Sequence, residues 1–314
     1  MHLYDKQNIK GQLQIFTRKV DTEDWVLKVD KKNMVFNTGL NIIRNLVAGT
    51  DTTYPTYCAV GSGVTAILAT DTYLEEEVWR NTFTSTDVSV SKKVTYETFF
   101  SSVQANGNDY ISNAGLFTSA PVLIEDGEAV ADWTNTNDCS AVTADTTIYQ
   151  NGSKSMKMAL TFAAGNGEVT KTTAIGDISD ITGVTSGTPT QGRLRLLVYC
   201  DNVANLNGTN AIQYKIGSSA GDYALYSLDD SELVDNTWYL WDIDLSAGAI
   251  TGTPDWTAVD YNQTIVNCTG NVNVYIDDIQ TFGPTIFNAQ IFTEFTKDKT
   301  TEMLIFWTLE FLDN

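Results

Sequence analysis

The sequence predicts a mainly β protein: a small β-domain with one short helix, split by an inserted β-sandwich. Three observations lead there. Thr, Ser, Asn and Gly crowd the short turns between alternating apolar runs, which is how strands of all-β domains read. Residues 119–284 differ in composition from the two ends, which share one strand pattern. A length of 314 residues also allows two domains, each with its own core. The expected division is residues 1–118 plus 285–314 for the discontinuous domain and residues 119–284 for the insert. Such an insertion succeeds at an exposed turn where the inserted ends lie close together, a position that favours display over catalysis.

The elements follow in order. Gly11 to Val20 and Trp25 to Lys32 read as a hairpin around the acidic turn Asp21-Thr22-Glu23-Asp24. Asn37 can cap a helix with Leu40, Ile43, Leu46 and Val47 at helical spacing and Gly49 as its stop. That stripe is expected to cover a sheet. Tyr57 to Gly61 is a short apolar strand ending in Gly61-Ser62-Gly63, and without a following Lys-Ser/Thr this is no phosphate loop. Alternation through Val88, Val90, Val94, Tyr96, Thr98 and Phe100 predicts one long strand, and Asn106-Gly107 turns the chain into Ile111 to Phe117. Ile286 to Thr296 and Met303 to Leu312 close the domain as a hairpin. The last strand is apolar on both faces, which predicts a subunit interface as well as a core.

Within the insert, clear strands are Ser155 to Phe162, Arg193 to Tyr199, Ala211 to Ile216, Trp238 to Leu245 and Asn271 to Ile279. By the two-residue period Asp278 falls on the face of Val272, Val274 and Ile276. A carboxylate there is costly unless paired, metal-bound or at a wet strand end. Tyr223, Tyr226, Trp256 and Tyr261 lie in turn-rich stretches, where they are either exposed rings for sugar stacking or core aromatics at loop edges.

Charge and composition exclude several functions. The net charge is −20, and residues 119–284 hold 21 acidic against 6 basic residues. The insert therefore repels phosphate backbones, so nucleic acid is not an expected partner; solubility at high density accounts for the acidity. Cys58, Cys139, Cys200 and Cys268 are widely spaced, with no Cys-x-x-Cys, and read as buried free thiols. The single histidine, His2, sits at the terminus, which removes histidine-based catalysis. A two-carboxylate glycosidase is formally open, but no acid pair is placed in an apolar pocket by the sequence. No run approaches a membrane span, and Met1 to Lys6 lacks a signal-peptide core, so synthesis in a host cytoplasm is expected.

Two resemblances sharpen this reading. Val35-Phe36-Asn37-Thr38-Gly39-Leu40, Ala59-Val60-Gly61-Ser62-Gly63, Asp71 to Arg80, Asn113-Ala114-Gly115-Leu116-Phe117 and the closing Phe287 to Phe295 with Lys297-Asp298-Lys299-Thr300 resemble small structural proteins of tailed phages and archaeal tailed viruses. That implies a virion component of head or tail, a homo-oligomer such as a trimer, bound to other virion proteins. Trp133, Asn151-Gly152-Ser153-Lys154, Trp238-Tyr239 and Tyr275-Ile276-Asp277-Asp278-Ile279 resemble jelly-roll carbohydrate-binding modules. The second resemblance implies a structural calcium held by Asp278 with Asp126, Glu125 and the Gly152-Ser153 carbonyls as candidate partners. It also implies cell-surface glycans as ligands, for which the turn-borne aromatics Trp256, Tyr261, Tyr223 and Tyr226 are the candidates. The expected function is a non-enzymatic virion-surface protein displaying a lectin-like module; the alternatives are a spacer without ligand and a free carbohydrate-binding protein.

Overall fold

The computed structural model describes residues 8–35, 37–50, 52–107, 110–284 and 286–312; His2 lies outside them. The chain is mainly β and forms two compact units, Met1–Ala120 with Pro284–Asn314, and Pro121–Gly283.

In the discontinuous unit the strands are β1 (Asn8–Lys19), β2 (Val26–Val35), β3 (Tyr57–Gly61), β4 (Glu77–Thr82), β5 (Ser85–Asp87), β6 (Lys93–Phe100) and β7 (Tyr110–Phe117), with helix α1 (Asn37–Ala48) after β2. Their sheet runs β4-β3-β7-β20-β2-β1-β21-β6-β5, where β20 (Ile286–Thr296) and β21 (Thr301–Leu312) come from the far end of the chain. β21 pairs with β1 from Asn8 opposite Leu312 to Lys19 opposite Thr301, so the first and last strands are neighbours. Alternation puts Leu13, Ile15, Met303, Ile305, Trp307 and Leu309 on the buried side. Phe16 and Phe306 meet edge to face on the other side, centroids 5.9 Å apart.

Two expectations for this unit need correction. Val88 and Val90 are exposed and precede β6. The Ser89 N–H donates to Asp87 Oδ1 at 2.8 Å and Lys92 has φ +61°, so residues 88–92 form the turn of the β5–β6 hairpin. Helix α1 packs through Gly39 and Ile42, and of its expected apolar stripe only Ile43 is partly buried. A Cβ at Gly39 would collide with the Phe287 carbonyl of β20, so the glycine lets the helix approach on its thin side. Leu40 is left 47% exposed and Val47 85% exposed.

The chain leaves this unit after β7 and returns at β20, where Phe117 pairs with Ile286. Arg80 on β4 holds that exit. Its guanidinium makes a two-pronged ion pair with Glu77, 2.8 Å on each arm, donates from Nη1 to the Ser119 carbonyl and hydroxyl at 2.9 Å, and lies 3.8 Å over the Phe117 ring. Ser119 Oγ in turn donates to the Pro284 carbonyl at 3.2 Å.

The second unit is a sandwich. One sheet runs β10 (Cys139–Asp145), β11 (Ser155–Leu160), β19 (Val272–Phe282), β13 (Arg193–Cys200), β16 (Trp238–Asp244), with β8 (Pro121–Glu125) also on β19. The other runs β17 (Ala249–Thr251), β15 (Asp222–Leu228), β14 (Ile212–Ser219), β18 (Tyr261–Asn267), β12 (Asn166–Lys171), β9 (Trp133–Asn137). A short helix α2 (Ser179–Thr182) lies in the β12–β13 connection. Inward residues of both sheets form one core, among them Met156, Leu196, Val198, Tyr214, Ile216, Val266, Val274 and Ile276. The four cysteines are buried and free, three of them in this core.

Replacing Arg80 by Ala strips the counter-charge from a buried Glu77 and is expected to destabilise the discontinuous unit by about 3–5 kcal/mol. Denaturant unfolding followed by a probe in that unit measures this; an unshifted midpoint would remove the assigned role.

Candidate functional site

The outward face of the β17–β9 sheet carries the arrangement best suited to a ligand. Tyr223 on β15 lies opposite Gly217 on β14, and Gly217 opposite Tyr261 on β18. With no side chain at Gly217, the two tyrosine rings flank a strip of bare backbone, centroids 6.3 Å apart and tilted by 36°. Gly217 is required there, because a Cβ would collide with the Asp222 carbonyl across the hairpin. Two residues along, on the same face, Lys215, Gln263 and Thr170 form the next row. Lys215 Nζ donates to Gln263 Oε1 at 2.8 Å and lies 4.8 Å from the Tyr223 ring centroid. Gln263 Nε2 donates to Glu168 Oε2 at 3.0 Å and Thr170 Oγ1 at 3.1 Å. The result is an aromatic pair beside a fixed ladder of polar groups.

The expected glycan residues therefore divide. Tyr223 is half-buried and Tyr261 8% exposed, both on this outward face. Tyr226 and Trp256, read as exposed candidates, are core residues. The Tyr226 hydroxyl donates to the Leu245 carbonyl at 2.8 Å beneath the same sheet, and burial, with Asp244 nearby, holds that phenol well above its usual range. Trp256 is completely buried, its Nε1 donating to the Gly187 carbonyl at 2.7 Å. Turn-rich sequence misled here because residues 176–187 fold over Trp256 and close that end of the sandwich.

The other sheet presents an aromatic row absent from the sequence reading: Trp238, Tyr199 and Tyr275 lie side by side on β16, β13 and β19, followed by Lys157 on β11. Strand parity could have found it, since each of the three aromatics alternates with core residues such as Val198, Val274 and Trp241. These rings pack at 54° and 89° to one another, so they form no flat platform.

Asp278 is not on the core face. It has φ +56°, and the pairing between β19 and β13 slips beside it, so Asp278 and Ile279 together stand against one residue of β13. Ile279 takes the core position. The Asp278 carboxylate meets the Arg195 guanidinium, the Gln280 amide and, at 3.0 Å, the Asn151 amide. Arg195 is itself 1% exposed and supplies a counter-charge to Asp278. The other expected ligands also have partners of their own. Glu125 accepts from Trp133 Nε1 at 2.6 Å and pairs with Lys171 at 3.0 Å; Asp126 accepts from the Glu128 N–H at 3.0 Å. The loop after Gly152 is tied down by Glu128, which accepts from the Ser153 hydroxyl at 2.6 Å and the Lys154 N–H at 3.0 Å. Among the described residues no three acidic, cysteine or histidine side chains gather to hold a metal ion.

Asp277, next to this pair, accepts from the Gln150 and Asn151 N–H groups at 2.8 and 2.9 Å. Burial and then the Asp278 charge push its carboxyl up to about 8, against those two hydrogen bonds and Arg195. Burial raises Asp278 as well, opposed by Arg195. One guanidinium faces two carboxyls, and the second keeps its proton.

No protein-family model and no curated protein matches the chain. Among solved structures, the chain is similar to a family 11 carbohydrate-binding module from Clostridium thermocellum in complex with a β-1,3-1,4-mixed-linked tetrasaccharide, at 15% identity and TM-score 0.37, covering 52% of this chain and 98% of that one. A family 30 module of the cellulosomal cellulase Cel9D-Cel44B of the same organism aligns at 13% identity and TM-score 0.35, over 52% and 98%. TmCBM61 in complex with β-1,4-galactotriose aligns at 13% and 0.34, over 52% and 99%.

The raised Asp277 has a consequence for pH. Between about pH 4 and pH 8 the folded state keeps a proton that the unfolded chain has released. Its contribution is full below about pH 4 and is lost as the pH rises through about 8. Melting temperature of the sandwich unit is expected to fall across that range, and Asp277→Asn to flatten the fall; an equal slope in the variant would place the proton elsewhere.

Proposed function

We propose that the sandwich unit binds carbohydrate and that an oligosaccharide lies along the outward face carrying Tyr223 and Tyr261. The observation that carries this is the tyrosine pair flanking Gly217, beside the Lys215–Gln263–Thr170–Glu168 ladder. A sugar ring offers an apolar C–H face to stack on an aromatic ring and a rim of hydroxyls that need fixed donors and acceptors; this surface provides both side by side. That the family 11 module and TmCBM61 were solved with oligosaccharides is a property of those proteins; for this chain the reading rests on the face itself. No catalytic step belongs to it. The adjacent acids Asp277 and Asp278 are buried against Arg195 and residues 150–151, where neither reaches a ligand on the far sheet.

On a glycan array followed by titration calorimetry, Tyr223→Ala and Tyr261→Ala are each expected to weaken binding tenfold or more, about 1.4 kcal/mol, while Trp238→Ala leaves it unchanged. Absence of binding to any glycan at millimolar concentration, or unimpaired binding by the tyrosine variants, would end this assignment.

A display role extends the reading: the discontinuous unit anchors the module in a larger assembly, such as a virion surface, where many copies make weak glycan contacts effective. Supporting it are Leu40 and Val47, exposed on the same face of a helix that buries Gly39 and Ile42. Light scattering on the intact chain is expected to give an oligomer that Leu40→Glu with Val47→Glu dissociates. A monomeric wild type would refute self-assembly through this stripe.

A further inference from the structure

Lys297, directly after β20, is completely buried. Its Nζ donates to the Gln104 carbonyl at 2.7 Å, to Asn106 Oδ1 at 2.9 Å and, more weakly, to the Asp298 carbonyl at 3.4 Å. Asn106 is completely buried as well, and its Nδ2 donates to the Ser102 carbonyl at 2.8 Å. The carboxamide is thus held at both ends. A C=O bond is about 1.23 Å long, so Nζ lies within about 4.1 Å of the Asn106 amide carbon.

The backbone delivers this contact under strain. Ala105, just before Asn106, is a buried non-glycine residue at φ +58°, a conformation that L side chains disfavour. Such outliers persist where surrounding structure forces them, and they cluster at functional sites.

We propose that Lys297 and Asn106 join in an intramolecular isopeptide bond. The Nζ lone pair of the neutral amine attacks Cγ of Asn106. The Nζ–Cγ bond forms, the Cγ–Nδ2 bond breaks, and ammonia leaves with a proton taken from Nζ. The step needs no oxidant, cofactor or second substrate. With three acceptors around it Nζ sits as an ammonium, so one proton must pass to solvent to free the lone pair before attack; the buried site then keeps water from competing for the amide carbon. Fixing both groups in one place replaces a bimolecular encounter by a unimolecular step. The bond would close a covalent ring from residue 106 to residue 297, enclosing the whole sandwich unit, while β1 and β21 stay outside it.

Intact-mass spectrometry on the purified full chain tests this. The expected mass lies below the sequence mass by one ammonia, about 17 Da, and Lys297→Met and Asn106→Ala each restore the sequence mass of the variant. Proteolytic mapping is expected to recover the peptide of Lys297 joined to the peptide of Asn106. Because Asn106 precedes Gly107, closure to a succinimide would lose the same ammonia, but it leaves two unlinked peptides and hydrolyses in mild alkali. Wild-type protein at its full sequence mass, or the loss confined to an unlinked Asn106 peptide, would overturn the proposal whether or not the variants fold.

Discussion

Two chain segments separated by the whole sandwich must lie side by side for the discontinuous unit to exist, and the Arg80 guanidinium is where that requirement is met. It neutralises Glu77, caps the Ser119 carbonyl as the chain leaves, and covers Phe117, the last residue of β7. Phe117 pairs with Ile286, so the clamp on the outgoing strand also sets the register of the returning one. From that register follow β20 against β2, and then the long pairing of β1 with β21. An arginine suits the post because one planar group serves a carboxylate, a carbonyl and a ring at once, which an ammonium cannot.

The sandwich handles its acidity by a related economy of cations. With only 6 basic residues among residues 119–284, one is fully buried and a second is largely withdrawn from water. Arg195 faces Asp278 in the bulge of β19, and Lys171 bridges Glu125 and Asp132 at the start of the unit. Both serve the strands where the unit begins and ends. The remaining acids largely bind backbone N–H groups in turns, as Asp138 does with Ala163, Ala164 and Gly165. These hydrogen bonds draw the Asp138 carboxyl below its usual range, so negative charge stabilises loops here without a cation partner.

Strand existence was legible wherever a two-residue period met a turn signal. The β1–β2 hairpin, β7, the β20–β21 hairpin and the main sandwich strands all fall where alternation placed them. Periodicity failed where it was a property of composition and not of packing. The α1 stripe has helical spacing, yet the face that docks is shifted round toward Gly39, whose missing side chain lets β20 come close. Val88 and Val90 alternate correctly and still form a turn. Asp278 shows a different limit: one inserted residue inverts the parity of everything after it, and a bulge leaves no mark in the pattern. Of the glycan candidates, Tyr223 and Tyr261 share a face that strand parity could have assigned, whereas the burial of Trp256 depends on a distant loop folding over it.

The way the chain enters and leaves the sandwich has a mechanical consequence. β7 and β20 are antiparallel neighbours, and both linkers emerge at the Phe117–Ile286 end. Tension applied through the sandwich would pull the two strands apart from that end. Such loading breaks hydrogen bonds one pair at a time, a weak geometry compared with shear along the strands. The first pair is also where Arg80 and Ser119 add their bonds, so the joint is reinforced at the rung that tears first.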